Sequence, residues 1–486
     1  MKEAKVHSIK YNFIMNFILT SLNFLFPLIT FPYVSRVLGA SGNGTIAFVT
    51  SVANYFLMIA SLGIPTYGIR ACAKVRDNKE ELSKTVHEIL LINLITTMLV
   101  IFTYLVMVIT IPKFAEESTL FYINGVNILL NMFGVNWFYQ ALEQYDYITF
   151  RSILFKTISI VLMFLLVHEK NDYIVYGAII VFSAVASNIV NFVNLRKKII
   201  FKRFLYYDVK RHIKPILVLF AQSLVVSIYT NLDTVMLGFM KDSTEVGLYS
   251  TAIKLKAILL SLVTSLANVL LPRMSYYIKN DMKQEFRKTI ELAIDFTLLL
   301  SIPLSVFFIL CSREVILILA GEEYLGAVLA MQFITLAIIP NGLTGVFGIQ
   351  ILTSMGEEKY VLYSVVAGAI LDVVLNLMLI PNYGASGAAF ATMIAEFGVL
   401  IVQLIFVKRI LKYRLCDFRT LLKISLASLA PIVCVLLVKG CVENIFLILV
   451  VSAMCYFGCA ILLCYIFNVS LVKSNINKYF RLIKKC

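Results

Sequence analysis

Five ionisable residues stand deep inside long apolar stretches of this chain: Asp233, Lys254, Lys256, Asp372 and Glu396. Such a charge is costly in an apolar medium and is kept where it holds an ion, a substrate or a neighbouring helix. Asp233 precedes Gly238 by five residues and Lys254 follows Gly247 by seven. At a 1.5 Å rise both lie roughly 8–10 Å below the outer surface. They can meet across adjacent helices, either as a packing ion pair or as a cavity charge that holds an anionic substrate. Lys256 points about 200° away from Lys254 on the same helix. The two cannot face one cavity; Lys254, whose depth matches Asp233, is assigned to it, and Lys256 to a partner lobe or to the interface by snorkelling. Asp372, with Asn376 one turn later, and Glu396 fall in mid-segment, where carboxylates carry a proton or sodium ion or bond a neighbouring helix. Asp295 and Glu291 lie nearer a segment end and stay wet.

Amides form a second pattern. Asn124, Asn127 and Asn131 share one helical face, as do Asn188, Asn191 and Asn194, and Asn12, Asn16 and Asn23 recur in the first segment. One-sided amides either join helices or line a wet cavity suited to sugar hydroxyls. Packing is the reading for the second group; the first is open between the two. Pro27 and Pro32 are expected to bend the first segment, and Pro340–Asn341–Gly342 a later one.

The elements that position these groups are membrane spans. The chain has 486 residues, 60% hydrophobic and 15% charged, with a mean hydropathy of +0.88. That is too apolar for a soluble domain or a nucleic-acid binder. Fourteen segments reach spanning length, from 11–35 and 43–67 through 214–238 and 247–271 to 420–438 and 444–468. With the N-terminus inside, 35 of the 43 lysines and arginines fall to inner loops and tails. Six fall outside: Arg36, Lys113, Lys170, Lys241, Arg313 and Lys439. This split follows the positive-inside rule and places both termini in the cytoplasm. The most basic inner loop, Arg196 to Lys214, is expected to lie near anionic head groups. The first segment is too long for a signal peptide and reads as an uncleaved helix.

Much chemistry is excluded. The histidines and cysteines show no metal-site spacing, so neither metal nor other cofactor is expected. The sequence lacks a Gly-x-x-x-x-Gly-Lys-Ser/Thr phosphate loop and any loop long enough to fold as a catalytic domain. Glu116–Glu117 and Glu322–Glu323 read as solvated charges. The chain is not expected to be an enzyme.

It does repeat itself. Ser35–Arg36–Val37–Leu38–Gly39 with Gly44–Thr45–Ile46 returns as Thr234–Val235–Met236–Leu237–Gly238 with Gly247–Leu248–Tyr249. Glu81 to Val86 returns as Glu285 to Ile290, and Tyr176–Gly177–Ala178 as Ser386–Gly387–Ala388. Two similar bundles suit a transporter that moves one against the other. The expected division is an N-terminal lobe over 1–200, a C-terminal lobe over 201–412, and two further helices with a basic tail over 413–486.

Three stretches carry a resemblance to a known family. They are Phe31 to Gly39, Asn231 to Gly238 with Gly247–Leu248–Tyr249–Ser250, and Asp372 to Ala389 ending at Glu396. They resemble the Wzx-type oligosaccharide flippases, within the superfamily that includes lipid II flippases and multidrug efflux antiporters. The resemblance implies an all-α membrane protein of two six-helix lobes in a V around a central cavity, plus two extra helices. It implies transport of undecaprenyl-diphosphate-linked oligosaccharide from the inner to the outer leaflet of a bacterial cytoplasmic membrane, with polysaccharide polymerase and glycosyltransferases as neighbours. Arg36, Asp233 and Lys254 then fall in cavity-lining spans, and Arg70 falls where a lipid diphosphate is first met. A cation-coupled small-molecule efflux antiporter is the alternative on the same fold.

Overall fold

The computed structural model describes residues 9–202, 204–411, 418–469 and 471–473, and its regular elements are all helical. The expectation of cytoplasmic termini and a basic tail falls on residues outside this set, as does the side chain of Asn23. The chain divides into two compact units, 1–247 and 248–486.

The first unit contains α1 (Ile9–Ser61), α2 (Ile64–Lys74), α3 (Lys79–Thr110), α4 (Pro112–Ala115), α5 (Ser118–Leu130), α6 (Asn136–Ala141), α7 (Tyr145–Leu166), α8 (Tyr173–Leu195) and α9 (Lys210–Met240). The start of α10 (Ser243–Lys279) also belongs to it. The second unit holds the rest of α10, then α11 (Lys283–Leu310), α12 (Ser312–Leu319), α13 (Ala327–Leu336), α14 (Ile338–Thr344), a π-helix at Gly345–Thr353, α15 (Glu358–Leu411), α16 (Phe418–Leu429), α17 (Ile432–Cys441) and α18 (Ile445–Ile466).

Among the described residues, eleven helices are long and apolar enough to cross a membrane. The fourteen segments read from the sequence count the halves of two broken helices separately and include Lys210–Met240, which is not one of the eleven. The breaks lie at Gly39 in α1 (φ 68°, ψ −178°) and Gly384 in α15 (φ 51°, ψ −130°). Pro27 and Pro32 stay inside the helical run of α1. A ring that holds φ near −65° cannot supply the positive φ of the break, whereas glycine supplies it readily. Pro340 acts upstream of itself: it has no N–H for the Leu336 carbonyl, and α13 gives way to α14 between Leu336 and Ile338.

Helix starts are set locally. Asn78 caps α3 by accepting from the Glu80 and Glu81 amides at 3.1 and 3.2 Å, and both glutamates favour the positive end of the helix dipole. Along α3, Ile95, Leu99, Phe102 and Ile109 share one face and are 58–71% exposed. An apolar stripe of that length belongs against lipid.

Within the first unit the two sequence copies interlock through backbone. A Cβ on Gly44 would lie 1.6 Å from the Ser243 carbonyl oxygen, and one on Gly247 would lie 1.9 Å from the Ala40 carbonyl oxygen. Gly44 pairs with Gly247 in the repeat, and Ala40 with Ser243 at the same offset. The contact is therefore reciprocal: each copy presses the same glycine onto the same carbonyl position of the other. Gly44→Ala or Gly247→Ala forces the backbones apart and is expected to abolish a monodisperse detergent-solubilised species. Gly440→Ala, which meets nothing within 4 Å, is expected to leave the thermal transition unchanged or slightly raised.

Candidate functional site

The first unit forms an open cavity of about 580 Å³, and each wall follows from local sequence. On α7, Ser152, Lys156, Ser159 and Met163 recur at i, i+4, i+7 and i+11, so they form one stripe along it. On α8, Tyr176, Ser183 and Ser187 do the same. Thr30 and Phe26 of α1 close a third side. The floor is an interruption: α5 stops at Leu130, a 3-10 turn runs over Asn131–Phe133, and α6 restarts at Asn136. This break frees Asn131, Asn136 and Gln140 to face the cavity. Asn131 Nδ2 donates to Ser61 Oγ at 2.9 Å. The same turn supplies Met132 and Phe133 to a second, apolar cavity of about 550 Å³ with Leu90, Leu94 and Phe192.

Arg151 is the best-fixed polar group of this site and is only 5% exposed. Its Nη1 donates to the Ser187 carbonyl at 2.9 Å, and its Nη2 donates to Asn136 Oδ1 at 2.8 Å. Asn136 Oδ1 also accepts from Asn191 Nδ2 at 2.7 Å. Arg151 Nε has no hydrogen-bond partner among the described residues. Lys156 Nζ stands 5.4 Å over the Phe26 ring, a cation–π arrangement.

A second polar cluster joins α2, α3 and α9. The Glu88 carboxylate is fully buried. Its Oε1 accepts from the Asp208 amide at 2.7 Å, and its Oε2 accepts from Arg211 Nη2 at 2.7 Å and Nε at 3.1 Å. His212 Nε2 stands 2.7 Å from Oε2, and His212 Nδ1 stands 2.7 Å from the Tyr67 hydroxyl. An ionised carboxylate only accepts, so Nε2 carries a proton; a neutral His212 then accepts from Tyr67 through Nδ1.

In the second unit, Lys256 Nζ lies 3.1 Å from Glu396 Oε1. Asn341 Nδ2, one residue after Pro340, donates to the same oxygen at 2.5 Å. Asp372 and Asn376 are buried on α15, and Gln403 Nε2 donates to Ser364 Oγ at 3.1 Å. Gln350, in the π-helix, is fully buried and makes no side-chain hydrogen bond among the described residues. Short π-helical turns concentrate at functional positions.

The family model described as "Polysaccharide biosynthesis protein" matches residues 9–278. The chain belongs to this family. A second model, MatE, matches residues 219–378. The chain is 23% identical over 407 residues to the "Putative O-antigen transporter" of Escherichia coli strain K12, covering 82% of this chain and 97% of that one. It is similar to the solved structure of the lipid II flippase MurJ in an inward closed conformation, with a TM-score of 0.77, 18% identity, and coverage of 95% of this chain and 100% of MurJ. It is also similar to an inward-facing multidrug resistance MATE family transporter of the MOP superfamily, with a TM-score of 0.61, 12% identity, and coverage of 79% and 94%. At these identities the two structures establish a shared fold.

Within this polysaccharide biosynthesis family member, the residues singled out from sequence scatter. Asn131 reaches the cavity, but Asn124 Nδ2 turns back to its own helix and donates to the Leu120 carbonyl at 3.0 Å. Asn127 is half-buried on α5 and is not part of the cavity wall. Asn188, read as a packing residue, lines the cavity. Arg36 is exposed and donates to the Pro32 carbonyl at 3.0 Å, and Arg70 is exposed on α2. Asp233 is buried in the first unit, and Lys254 belongs to the second. Lys256 turns inward to Glu396 instead of snorkelling.

Sequence reasoning missed Arg151 and Lys156, which the charge partition counts with an inner loop although both stand inside α7. The signal was available: Ser152, Lys156 and Ser159 at helical spacing within an apolar run. It also missed Glu88, Arg211 and His212. The last two belong to the basic stretch assigned to head groups, yet His212 is 2% exposed. Their pairing spans 123 and 124 positions, so nothing local announces it.

Two stability outcomes follow from these clusters. Glu88→Ala strands Arg211 and His212 and is expected to cost about 3 kcal/mol, read as a lowered thermal midpoint in detergent. Lys256→Met leaves a buried carboxylate unpaired and is expected to cost about 3–5 kcal/mol, most of it recovered in Lys256→Met/Glu396→Met. Additive losses in that cycle would mean that the two side chains do not interact.

Proposed function

We propose that this chain is a flippase for lipid-linked oligosaccharides. The polar cavity of the first unit carries the reading. Sugar hydroxyls lose water on entering hydrocarbon and need replacement partners. Amides and hydroxyls on four sides of a membrane bundle supply those partners, beside a bundle face that meets lipid. The family, the name of the Escherichia coli relative and the flippase activity named for MurJ support the same assignment.

In finer terms, the substrate is an undecaprenyl-diphosphate-linked repeat unit, moved from the inner to the outer leaflet of a bacterial cytoplasmic membrane for surface polysaccharide. Fourteen crossings put both termini in the cytoplasm, with lobes over 1–200 and 201–412 and two further helices over 413–486. Access alternates between the two faces, each conformation binding the substrate. Arg36, Arg70, Asp233 and Lys254, with Asn131, handle the substrate, and Asp372 and Glu396 carry a coupling ion; Asn124 and Asn127, which do not line the cavity, are left out of this role. Polymerase and glycosyltransferases act beside it. The protein itself makes and breaks no covalent bond.

Deletion is expected to remove surface polysaccharide and to accumulate lipid-linked units in the inner leaflet, scored by a membrane-impermeant glycan probe on right-side-out and inverted vesicles. Asp233→Ala and Lys254→Ala are each expected to reduce outer-leaflet delivery, and exchange of the two charges to restore part of it if they pair. Intact polysaccharide with raised drug susceptibility after deletion would replace this reading with multidrug efflux.

A further inference from the structure

The second cavity of the first unit, of about 550 Å³, is walled almost wholly by apolar groups. On α3, Lys84, His87, Leu91 and Leu94 recur at i, i+3, i+7 and i+10 and so share a face. The last three line the cavity, with Met132 and Phe133 from the 3-10 turn and Phe192 from α8. Its two polar lining residues turn to each other. His87 Nδ1 stands 3.2 Å from the Tyr207 hydroxyl, which also accepts from the Phe204 amide at 3.2 Å. Such a wall suits hydrocarbon and offers sugar hydroxyls little replacement for water.

The mouth shows where hydrocarbon can enter. Leu91 and Leu94 are 38% and 39% exposed, and they continue into the lipid-facing stripe of Ile95, Leu99 and Phe102 on the same helix. One end of the cavity is cationic. Arg196, one turn beyond Phe192, stands 5.6 Å over both the Phe192 and the Phe201 rings. Lys84 Nζ stands 5.3 Å over the ring of Tyr206, the neighbour of the lining Tyr207. These ring faces position the two cations without supplying a full negative charge. Residues 196–202 add Lys197, Lys198 and Lys202, and their sequence contains no acid. Leu94 lies ten residues beyond Lys84, about 15 Å along the helix. That is half of the roughly 30 Å hydrocarbon thickness of a bilayer. The cations and the apolar wall are therefore spaced as the head group and the chain of a lipid in one leaflet.

We propose that this cavity holds one acyl chain of an anionic phospholipid, with its phosphate on Arg196 and Lys84. The occupant is a resident lipid of the surrounding bilayer and not cargo. The proposal goes beyond the flippase reading and does not depend on it. A cargo's isoprenoid tail is the other source of hydrocarbon beside a phosphate, and the test separates the two.

Brominated acyl chains quench a tryptophan that they touch. Trp137→Phe removes the single tryptophan of the chain, and Phe133→Trp places the fluorophore in the cavity wall. In phosphatidylcholine vesicles, brominated phosphatidylglycerol is expected to quench this emission at a mole fraction at least about tenfold lower than brominated phosphatidylcholine does. Lys84→Gln with Arg196→Gln is expected to remove that preference, because two cations at a membrane surface are together worth at least about tenfold. With Phe102→Trp in place of Phe133→Trp, on the exposed stripe, the two lipids are expected to quench alike. Equal quenching by both lipids at Phe133, or a preference that survives loss of both cations, overturns the proposal. An equal preference at Phe102 overturns it too, since that marks general attraction to the membrane surface. Relief of the quenching by an isoprenyl phosphate gives the cavity to a cargo's tail and likewise overturns it.

Native mass spectrometry gives a reading that does not need Trp137→Phe. From an equal mixture, the wild-type protein is expected to retain phosphatidylglycerol over phosphatidylcholine, and Lys84→Gln/Arg196→Gln to retain the two alike. Absence of that preference in the wild type overturns the proposal.

Discussion

The buried carboxylate of Glu88 is the constraint around which the first unit is arranged. A fully enclosed anion must be matched by donors, and it draws them from the Asp208 amide, Arg211 and His212 at the start of α9. Tyr67 of α2 completes the set through His212. The first helix of the second sequence copy is thereby fastened to the first copy at one end, and the glycine contacts hold it at the other. This explains why the first compact unit runs to Gly247, well beyond the point near residue 200 where the repeat divides. Removing a partner from such a cluster is strongly destabilising, because it leaves a buried charge uncompensated.

Much of the architecture was legible in the chain because membrane burial writes itself in hydropathy. The break at Gly39 stood inside a recognisable repeat. What local sequence could not show was helix facing. Asn124 and Asn131 share one stripe by periodicity, yet only Asn131 sits where α5 has already ended, and it alone lines the cavity. A count of charges by membrane side assigns Arg151 and Lys156 to a loop, since such a count has no measure of which way a helical side chain points. Glu88 and His212 stayed hidden for another reason: a buried acid and its partners are related by folding, not by spacing.

The two units use charge in different ways. In the first, Arg151 and Lys156 line a cavity whose other described lining residues are uncharged. In the second, Lys256 and Glu396 neutralise each other at 3.1 Å and share Asn341. One arrangement orients a guanidinium with neutral groups; the other pairs opposite charges directly. The sequence copies look alike, and their electrostatic roles have diverged.

The reciprocal seating of Gly44 and Gly247 bears on how such a duplicated chain can change over time. Each glycine is constrained by a carbonyl in the other copy, so a side chain gained on one half finds no room that the same half could create. Drift at this joint demands simultaneous change in both copies. This shared feature of the two halves is thus the one least free to distinguish them, and it keeps the copies matched here while residues elsewhere differ.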